Sequence, residues 1–213
     1  MISYASNTGT KRNLEALRAN DWRILVSPKK PKPPDGFKFG IDNGAWGRYQ
    51  LGLPFDEDGF RRLIDHHGGA ADFIILPDIV GGGKASLELS MKWFYERQLH
   101  NCRQLLLPVQ DGMRIEEVVK IVRYRGLGIF LGGTTEWKLA TMHDWGVVSA
   151  TLGCHYHIGR VNSRRRIRLA AMAGATSFDG TSASLYSVNA NKLRTWANQP
   201  SLLSPRYVVE CRT

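Results

Sequence analysis

Three aspartates, each at the end of a short apolar run and close to a glycine, are the residues of this sequence best suited to chemistry. They are Asp42 in FGIDNG, Asp78 in IILPDIVG and Asp179 in TSFDG. A carboxylate can attack a carbon atom, carry a proton or accept hydrogen bonds from a ligand. Two carboxylates that face a bound sugar perform glycosyl chemistry, in which one attacks the anomeric carbon and the other handles a proton. The sequence therefore predicts a site that contains several acids.

Residues that could recognise a ligand follow apolar runs in the same way. Gln110 comes directly after one such run, and with Asp78 it offers the acceptor and donor that match the amide edge of a purine. Gly132 and Gly133 follow another run, where the lack of a side chain lets the backbone approach a ligand closely. A glycine pair is also a common turn, so this pair indicates a binding site only together with the other residues.

Three further side chains are candidates for contacts with a substrate or with the acids. Asn43 adjoins Asp42, and Trp46 lies four residues beyond Asp42, where its ring can stack on a planar group. His157 lies just inside the end of an apolar run and is a candidate for orienting Asp179 or a phosphate. The remaining histidines considered are interpreted as surface or packing residues: His66, His67, His143 and His155.

These residues require a scaffold that brings the ends of separate apolar runs together. The candidate strands are Ile2–Ala5, Trp22–Ser27, Phe37–Asp42, Phe73–Asp78, Gln104–Gln110, Gly128–Leu131, Cys154–Ile158 and Thr176–Asp179. The candidate helices are Lys11–Ala19, Glu57–His67, Lys84–Leu99, Ile115–Arg123, Thr135–Leu152, Ser163–Ala173 and Ala190–Ala197. Strands that alternate with helices predict a parallel sheet.

Eight such strands predict an α/β fold, namely a compact (β/α)8 TIM-like barrel that forms a single domain over residues 1–213. An open doubly wound sheet is the alternative. The segment Ser27–Gly36 is too rich in proline for a helix, so we expect an extended loop there. Active sites of such barrels lie at the carboxyl ends of the strands, where the polar residues above are found. Each of these residues alone could equally be a helix cap or a turn former, but the whole ring favours a site.

The charge of the chain indicates a polyanionic partner. The formal net charge is +10 over 213 residues. The basic residues that we predict to contact nucleic-acid phosphates are Arg160, Arg164, Arg165, Lys29, Lys30 and Lys32. The alternative is that the arginines merely keep the outer face of the seventh helix solvated.

The remaining composition excludes several classes of protein. Hydrophobic residues make up 43% and charged residues 23%, as in an ordinary globular protein. No apolar stretch approaches the roughly 18–20 residues of a membrane span, and the N-terminus has no signal-like segment, so we expect cytoplasmic residence and no membrane partner. Three widely spaced cysteines form no zinc-like pattern, and we expect neither a metal nor another cofactor.

The order and spacing of six short motifs resemble a known family. The motifs are Asp42-Asn-Gly, Leu76-Pro-Asp78, Val109-Gln110, Leu131-Gly-Gly133, His157-Ile-Gly159 and Ser177-Phe-Asp179. Together they are similar to the motif series of the tRNA-guanine transglycosylase superfamily. The similarity is closer to its small phage and bacterial branch, the deazapurine DNA modification transglycosylases, and it extends roughly from Tyr4 to Tyr186.

The resemblance implies a base-exchange enzyme on a (β/α)8 barrel. It implies that Asp179 is the nucleophile, which displaces guanine and forms a covalent glycosyl-enzyme, and that Asp42 is the general acid and base. Asp78 and Gln110 would read the base, and Gly133 would contact the heterocycle through its backbone. The implied partners are double-stranded DNA with a flipped target base and a free 7-deazaguanine such as preQ0, in a bacterial or phage-infected cell.

One departure from the resemblance bears on the substrate. The tRNA enzymes of the superfamily carry a cysteine-rich zinc subdomain, and this sequence has no such ligand set. This favours DNA over tRNA. The alternatives are a base-exchange enzyme acting on tRNA or a nucleoside with the same site, and a non-catalytic nucleic-acid-binding barrel. A barrel enzyme for a phosphorylated small molecule would need only Gly132 and Gly133, and would leave the aspartates unexplained.

Overall fold

Eight parallel strands form a closed barrel in the computed structural model, which describes residues 1–96, 99 and 101–198. In chain order each strand pairs with the next, and β8 pairs with β1. The strands are β1 Ile2–Ser6, β2 Arg23–Val26, β3 Phe39–Ile41, β4 Ile74–Ile75, β5 Leu105–Val109, β6 Gly128–Leu131, β7 Tyr156–Ile158 and β8 Ser177–Gly180. The predicted (β/α)8 barrel is therefore confirmed. Residues 199–213, which belong to the predicted domain, and Cys211 lie outside the described residues.

Helices surround the barrel and connect its strands. They are α1 Lys11–Ala19, α2 Ala45–Gln50, α3 Glu57–His67, α4 Gly83–Phe94, α5 Ile115–Arg125, α6 Thr135–Leu152, α7 Arg164–Met172, α8 Ser182–Leu185 and α9 Ser187–Ala197. Side-chain oxygens of Asp56, Thr134 and Ser163 cap the N-termini of α3, α6 and α7 by accepting backbone N–H groups. Among the residues that the structure describes, none of these helices has the length and apolar character needed to cross a membrane.

Side chains alternate between the inside of the barrel and the layer of helices, as the pleat of a strand requires. The interior cluster contains Tyr4, Leu25, Phe73, Ile75 and Leu106. The strand residues between them point outwards and join the larger core beneath the helices. The inward-facing positions at the carboxyl ends of the strands therefore direct their side chains into one shared space.

Some boundaries differ from the prediction for identifiable reasons. Strand β4 ends at Ile75, before Pro77, which has no N–H to donate to a ladder. Helix α4 ends at Phe94 rather than at Leu99. The segment Ser27–Gly36 contains an isolated bridge and turns but no helix, as predicted. Helix α2, which was not predicted, directly follows the β3 end and sets the position of Trp46.

Candidate active site

The carboxyl ends of seven strands, β2 to β8, enclose a cavity in which nearly all the predicted ligand-binding residues meet. Its empty volume, including the open mouth, is about 450 Å³. The cavity is lined by Leu25, Asp42, Asn43, Trp46, Asp78, Val80, Gln110, Phe130, Gly132, Gly133, Arg160 and Asp179. The three aspartates that the sequence singles out, separated by up to 137 residues in the chain, thus share one cavity.

Asp179 lies on β8 and is held from two sides. The residue is 7% exposed. The backbone N–H of Arg160 donates to Oδ1 at 3.1 Å, and Nε2 of His157 lies 3.0 Å from Oδ2. Arg160 reaches this position because its backbone is left-handed, with φ at 60°, which is unusual for a residue other than glycine. Both oxygens of Asp179 are therefore oriented, and the carboxylate faces the cavity.

Asp42 follows β3 on the opposite part of the ring. Its backbone N–H donates to the carbonyl oxygen of Val26 at 2.8 Å, and its Oδ1 accepts the N–H of Gly44 at 3.3 Å. Burial, and after it the nearby charge of Asp179, raises the pKa of Asp42 to about 7. A carboxyl group with a pKa near neutrality can both donate and accept a proton under physiological conditions.

Asp78 is the centre of a buried hydrogen-bonded group. Nδ2 of Asn43 donates to Asp78 Oδ1 at 2.7 Å and to the carbonyl oxygen of Leu76 at 2.7 Å. Nε2 of Gln110 donates to Asp78 Oδ2, and Oε1 of Gln110 accepts the N–H of Gly81 at 3.3 Å. Burial raises the pKa of Asp78 to about 6, while the hydrogen bonds from Asn43 and Gln110 oppose that rise. The carboxylate of Asp78, an acceptor, is therefore held in place beside the amide of Gln110.

Gly132 and Gly133 form the cavity wall beside Gln110. A Cβ atom on Gly132 would lie 2.5 Å from Gln110 Nε2. Gly133 has φ at 73°, and a Cβ atom there would lie 2.5 Å from Asp111 Oδ2. Asp111 in turn accepts the backbone N–H and the hydroxyl of Thr134 at 2.7 and 2.6 Å. Both positions therefore require glycine, and bare backbone faces the cavity as the sequence analysis predicts.

Arg160 and Trp46 together close one side of the cavity. The guanidinium carbon of Arg160 lies 3.8 Å from the ring centroid of Trp46, a cation–π contact. The same guanidinium donates to the carbonyl oxygen of Gly133. Arg160 is one of the residues predicted to contact phosphates, whereas the structure places it in the wall of the cavity. A planar ligand that stacks on Trp46 has to share that face with the guanidinium or displace it.

The other predicted phosphate contacts lie outside this cavity. Arg164 and Arg165 line a separate outer groove with Arg168, and the Arg164 guanidinium lies 5.7 Å from the ring centroid of Trp196. In the loop after β2, three lysine side chains are exposed: Lys29, Lys30 and Lys32. Nδ2 of Asn7 anchors that loop by donating to the carbonyl oxygens of Lys30 and Lys32 at 3.1 and 2.9 Å. Lys29 also lines a neighbouring cavity that shares Asn43 with the main one.

One buried polar residue near the site was missed from the sequence. Lys138, in the first turn of α6, is 5% exposed and donates to the carbonyl oxygen of Gly159. Burial lowers the pKa of Lys138 to about 7. This amine does not line the cavity, so it is not placed to react with a ligand there. The only signal in the sequence was its position just after the end of β6.

His155 is a packing residue inside the barrel, with its ring centroid 5.6 Å from that of Phe73. Its Nε2 lies 2.7 Å from Oγ of Ser177 inside the barrel, and burial lowers its pKa to about 4. His157, a predicted substrate contact, lies behind Asp179 with its Nε2 in contact with that carboxylate, and it does not line the cavity. Residues two apart on a strand face the same side, so the pair His155 and His157 could have been found by that alternation.

In the described residues, 1–96, 99 and 101–198, His, Cys, Asp and Glu side chains do not form a group of three that could hold a metal ion. The arrangement of the cavity is instead that of acids, amides and an arginine. Carboxylates in such a cavity can attack carbon, transfer protons and accept hydrogen bonds from N–H donors.

Comparisons with known proteins define the class of the fold. No protein-family model matches the chain, and no curated protein matches it. Among solved structures, QR15, an aldolase, is 14% identical over 93% of this chain and 97% of its own, with a TM-score of 0.61. A mandelate oxidase variant is 11% identical over 92% of this chain and 71% of its own, with a TM-score of 0.56. The 3-hexulose-6-phosphate synthase from Salmonella typhimurium is 10% identical over 92% and 98%, with a TM-score of 0.52.

At these identities the likeness shows the fold alone. The fold and the cavity together define a (β/α)8 barrel protein with three carboxylates and a glutamine at its carboxyl-terminal face.

Proposed function

We propose that the protein is a DNA-guanine transglycosylase, a pentosyltransferase that exchanges guanine in DNA for a 7-deazaguanine base such as preQ0. The observation that carries this proposal is one cavity lined by Asp179, Asp42, Asp78 and Gln110. This set supplies a nucleophile, a proton carrier with a pKa near 7 and a polar pair that matches the edge of guanine. The motif series of the sequence supports the same assignment.

In the first displacement, a carboxylate oxygen of Asp179 bonds to C1′ of the target nucleotide as the bond between C1′ and N9 breaks. The electron pair of that bond goes to the guanine, which leaves with a proton donated by Asp42. The backbone N–H of Arg160 and the imidazole of His157 keep the carboxylate of Asp179 aimed into the cavity. The product of this step is a glycosyl ester on Asp179.

In the second displacement, Asp42 removes the N9 proton of the incoming 7-deazaguanine, and N9 attacks C1′. The bond between C1′ and the Asp179 oxygen breaks, and the carboxylate is regenerated. Two inversions give net retention at C1′ and ping-pong kinetics. Because the pKa of Asp42 is raised to about 7, this one group has the proton to give in the first step and the affinity to accept one in the second.

Base recognition falls to Asp78 and Gln110. Each oxygen of Asp78 accepts one hydrogen bond within the protein, which leaves lone pairs for the N1–H and the 2-amino group of guanine. The second N–H of the Gln110 amide is a donor for the base oxygen. Asn43 fixes the rotation of Asp78 and so selects a ligand edge with adjacent donors. The absence of a side chain at Gly132 leaves room for the ring beside Gln110.

The choice of DNA as the polymer rests on charge and access. Attack at C1′ requires the target base to leave the stack and enter the cavity. The net charge of +10 and the exposed Lys29, Lys30 and Lys32 suit a phosphate backbone laid across the barrel face. Arg164 and Arg165, exposed at the start of α7, offer further contacts to phosphates. Binding governed by these contacts weakens steeply as salt concentration rises.

The experiment that tests the proposal measures the incorporation of labelled guanine into nucleic acids and into a nucleoside. The protein is incubated with labelled guanine and, separately, with a guanine-containing DNA duplex, unmodified tRNA and free deoxyguanosine. We expect the unmodified protein to exchange labelled guanine into the DNA duplex and the Asp179→Asn variant to show no exchange. Exchange into tRNA alone would refute DNA as the substrate, and exchange undiminished in Asp179→Asn would refute the assignment of the nucleophile.

A further inference from the structure

A chain of hydrogen bonds runs through the interior of the barrel behind Asp179. Nε2 of His155 lies 2.7 Å from Oγ of Ser177, and the same oxygen lies 2.7 Å from Nδ1 of His157. Nε2 of His157 then lies 3.0 Å from Oδ2 of Asp179. Ser177 and His157 are fully buried. Asp179 is thus the end of a chain of four polar side chains, of which only the carboxylate reaches the cavity.

The fold brings these residues together by strand register. His157 on β7 is the direct partner of Ser177 on β8. His155 precedes His157 by two residues, and Asp179 follows Ser177 by two, so all four side chains project to the inside of the barrel. The chain therefore runs along the seam between two neighbouring strands.

Aromatic rings hold His157 in place. Its ring is stacked on Phe130, with centroids 5.5 Å apart and an angle of 19° between the planes. Phe73 and Tyr4 lie against it with centroids at 5.0 and 5.7 Å. In such surroundings a polar group without a partner is costly, so each nitrogen of the ring depends on its hydrogen bond.

The positions of the protons in this series of hydrogen bonds can be inferred by counting donors. Ser177 has one hydroxyl proton, so it donates to one histidine and accepts from the other. If it donates to Nδ1 of His157, the neutral ring carries its proton on Nε2, facing Asp179. If His157 is doubly protonated, Ser177 accepts from Nδ1 and donates to His155, and Nε2 again carries a proton. The remaining form, with a proton on Nδ1 alone, would set the Nε2 lone pair against the carboxylate.

We propose that His157 is the positioning residue of Asp179, that it donates its Nε2 proton to Oδ2, and that Ser177 bridged to His155 holds it in that state. The role of Asp179 as nucleophile rests on the proposed function. With the N–H of Arg160 on Oδ1, the donor on Oδ2 fixes the plane of the carboxylate and the direction of its attacking lone pair. The hydrogen-bonded side chains inside the barrel thus fix the orientation of the Asp179 carboxylate.

The first test reads the proton position directly and needs no nucleic acid. The protein is labelled with ¹⁵N-histidine, and the ring nitrogens of His157 are assigned by their loss in the His157→Gln variant. We expect a protonated Nε2 on His157 in the unmodified protein, and a change in the His157 nitrogen signals in Ser177→Ala. A neutral His157 with its proton on Nδ1 alone would overturn the proposal.

The second test is a double-mutant cycle on the rate at which a covalent adduct forms with a guanine-containing DNA duplex in a single turnover. Ser177→Ala should lower this rate by about tenfold, with DNA affinity unchanged, because both hydrogen bonds of the Ser177 hydroxyl, to His155 and to His157, are lost. In His157→Gln the amide can donate to Asp179 but cannot reach Ser177. Adding Ser177→Ala to that variant should cause no further loss.

The matched control is Ser149→Ala, which removes a buried hydroxyl hydrogen-bonded to the carbonyl oxygen of Cys154 at 2.9 Å, away from the chain. It should leave the adduct rate unchanged. An unaltered rate in Ser177→Ala, or an equal loss in both backgrounds, would overturn the proposal. If the unmodified protein forms no adduct with any nucleic acid, the proposed function fails, and the nitrogen signals alone decide whether His157 donates to Asp179.

Discussion

Replacement of Asp42 by asparagine should make the protein more stable at alkaline pH while abolishing base exchange. Burial, and then the charge of Asp179, raises the pKa of Asp42 from its ordinary value of 3.8 to about 7. The folded state therefore binds this proton more tightly than the unfolded state does. The stabilisation from the protonated group is complete below pH 3.8 and is lost as the pH rises through 7.

The magnitude follows from the two pKa values. They differ by about 3 pH units, and each unit corresponds to about 1.4 kcal/mol, so ionisation of Asp42 destabilises the fold by at most about 4 kcal/mol. Roughly 2–3 kcal/mol of this is lost between pH 5 and pH 8.5. Asparagine keeps the shape of Asp42 and its acceptor for the N–H of Gly44, but it never ionises. The free energy of unfolding of Asp42→Asn, relative to that of the unmodified protein, should therefore rise by roughly 2–3 kcal/mol between pH 5 and pH 8.5.

The assay is urea denaturation of both proteins at pH 5 and pH 8.5. Asp65→Asn, on the exposed face of α3, removes the same charge without the burial and reports the effect of net charge alone. The reasoning is refuted if Asp42→Asn is the less stable protein at pH 8.5, or if the difference in free energy of unfolding does not change with pH. Exchange activity measured on the same samples should be absent from Asp42→Asn at every pH, because the amide cannot transfer the proton.

The remaining predictions concern glycines at close contacts. Gly146→Ala on α6 would drive its Cβ into the carbonyl group of Ala173, so urea denaturation should show a loss of about 2–4 kcal/mol. Gly47→Ala, a helical position with open space around it, is the matched control and should gain about 0.5–1 kcal/mol. Gly132→Ala would set a methyl group 2.5 Å from Gln110 Nε2. It should raise the KM for the incoming base by about tenfold or more, and an unchanged KM would remove Gly132 from the base site.

Most of the barrel could be predicted from the sequence because its strands are short apolar runs that end in polar or glycine residues. The closed order of β1 to β8 follows from the alternation of such runs with helices. The prediction failed where local pattern is weak. Helix α2 is six residues long and begins after a left-handed Gly44, and β4 has only two residues because Pro77 ends the ladder.

The acids of the site could be predicted because each lies at the end of its own strand. Their neighbours could not, because contacts between strands depend on register and on backbone conformation. Arg160 lies in the cavity since its backbone is left-handed, which no sequence pattern signals for an arginine. Lys138 is buried by the loop that carries Gly159, and the bridge of Ser177 between two histidines depends on the pairing of β7 with β8.

The most direct test of the central claim is the identity of the residue that becomes covalently attached to DNA. The protein is mixed with a guanine-containing duplex without any incoming base, quenched in denaturant, digested and examined by mass spectrometry. The account predicts a deoxyribosyl ester on the peptide containing Asp179, which disappears when a 7-deazaguanine base is added before the quench. An adduct on another residue, or base exchange that proceeds with no modification of Asp179, would contradict it.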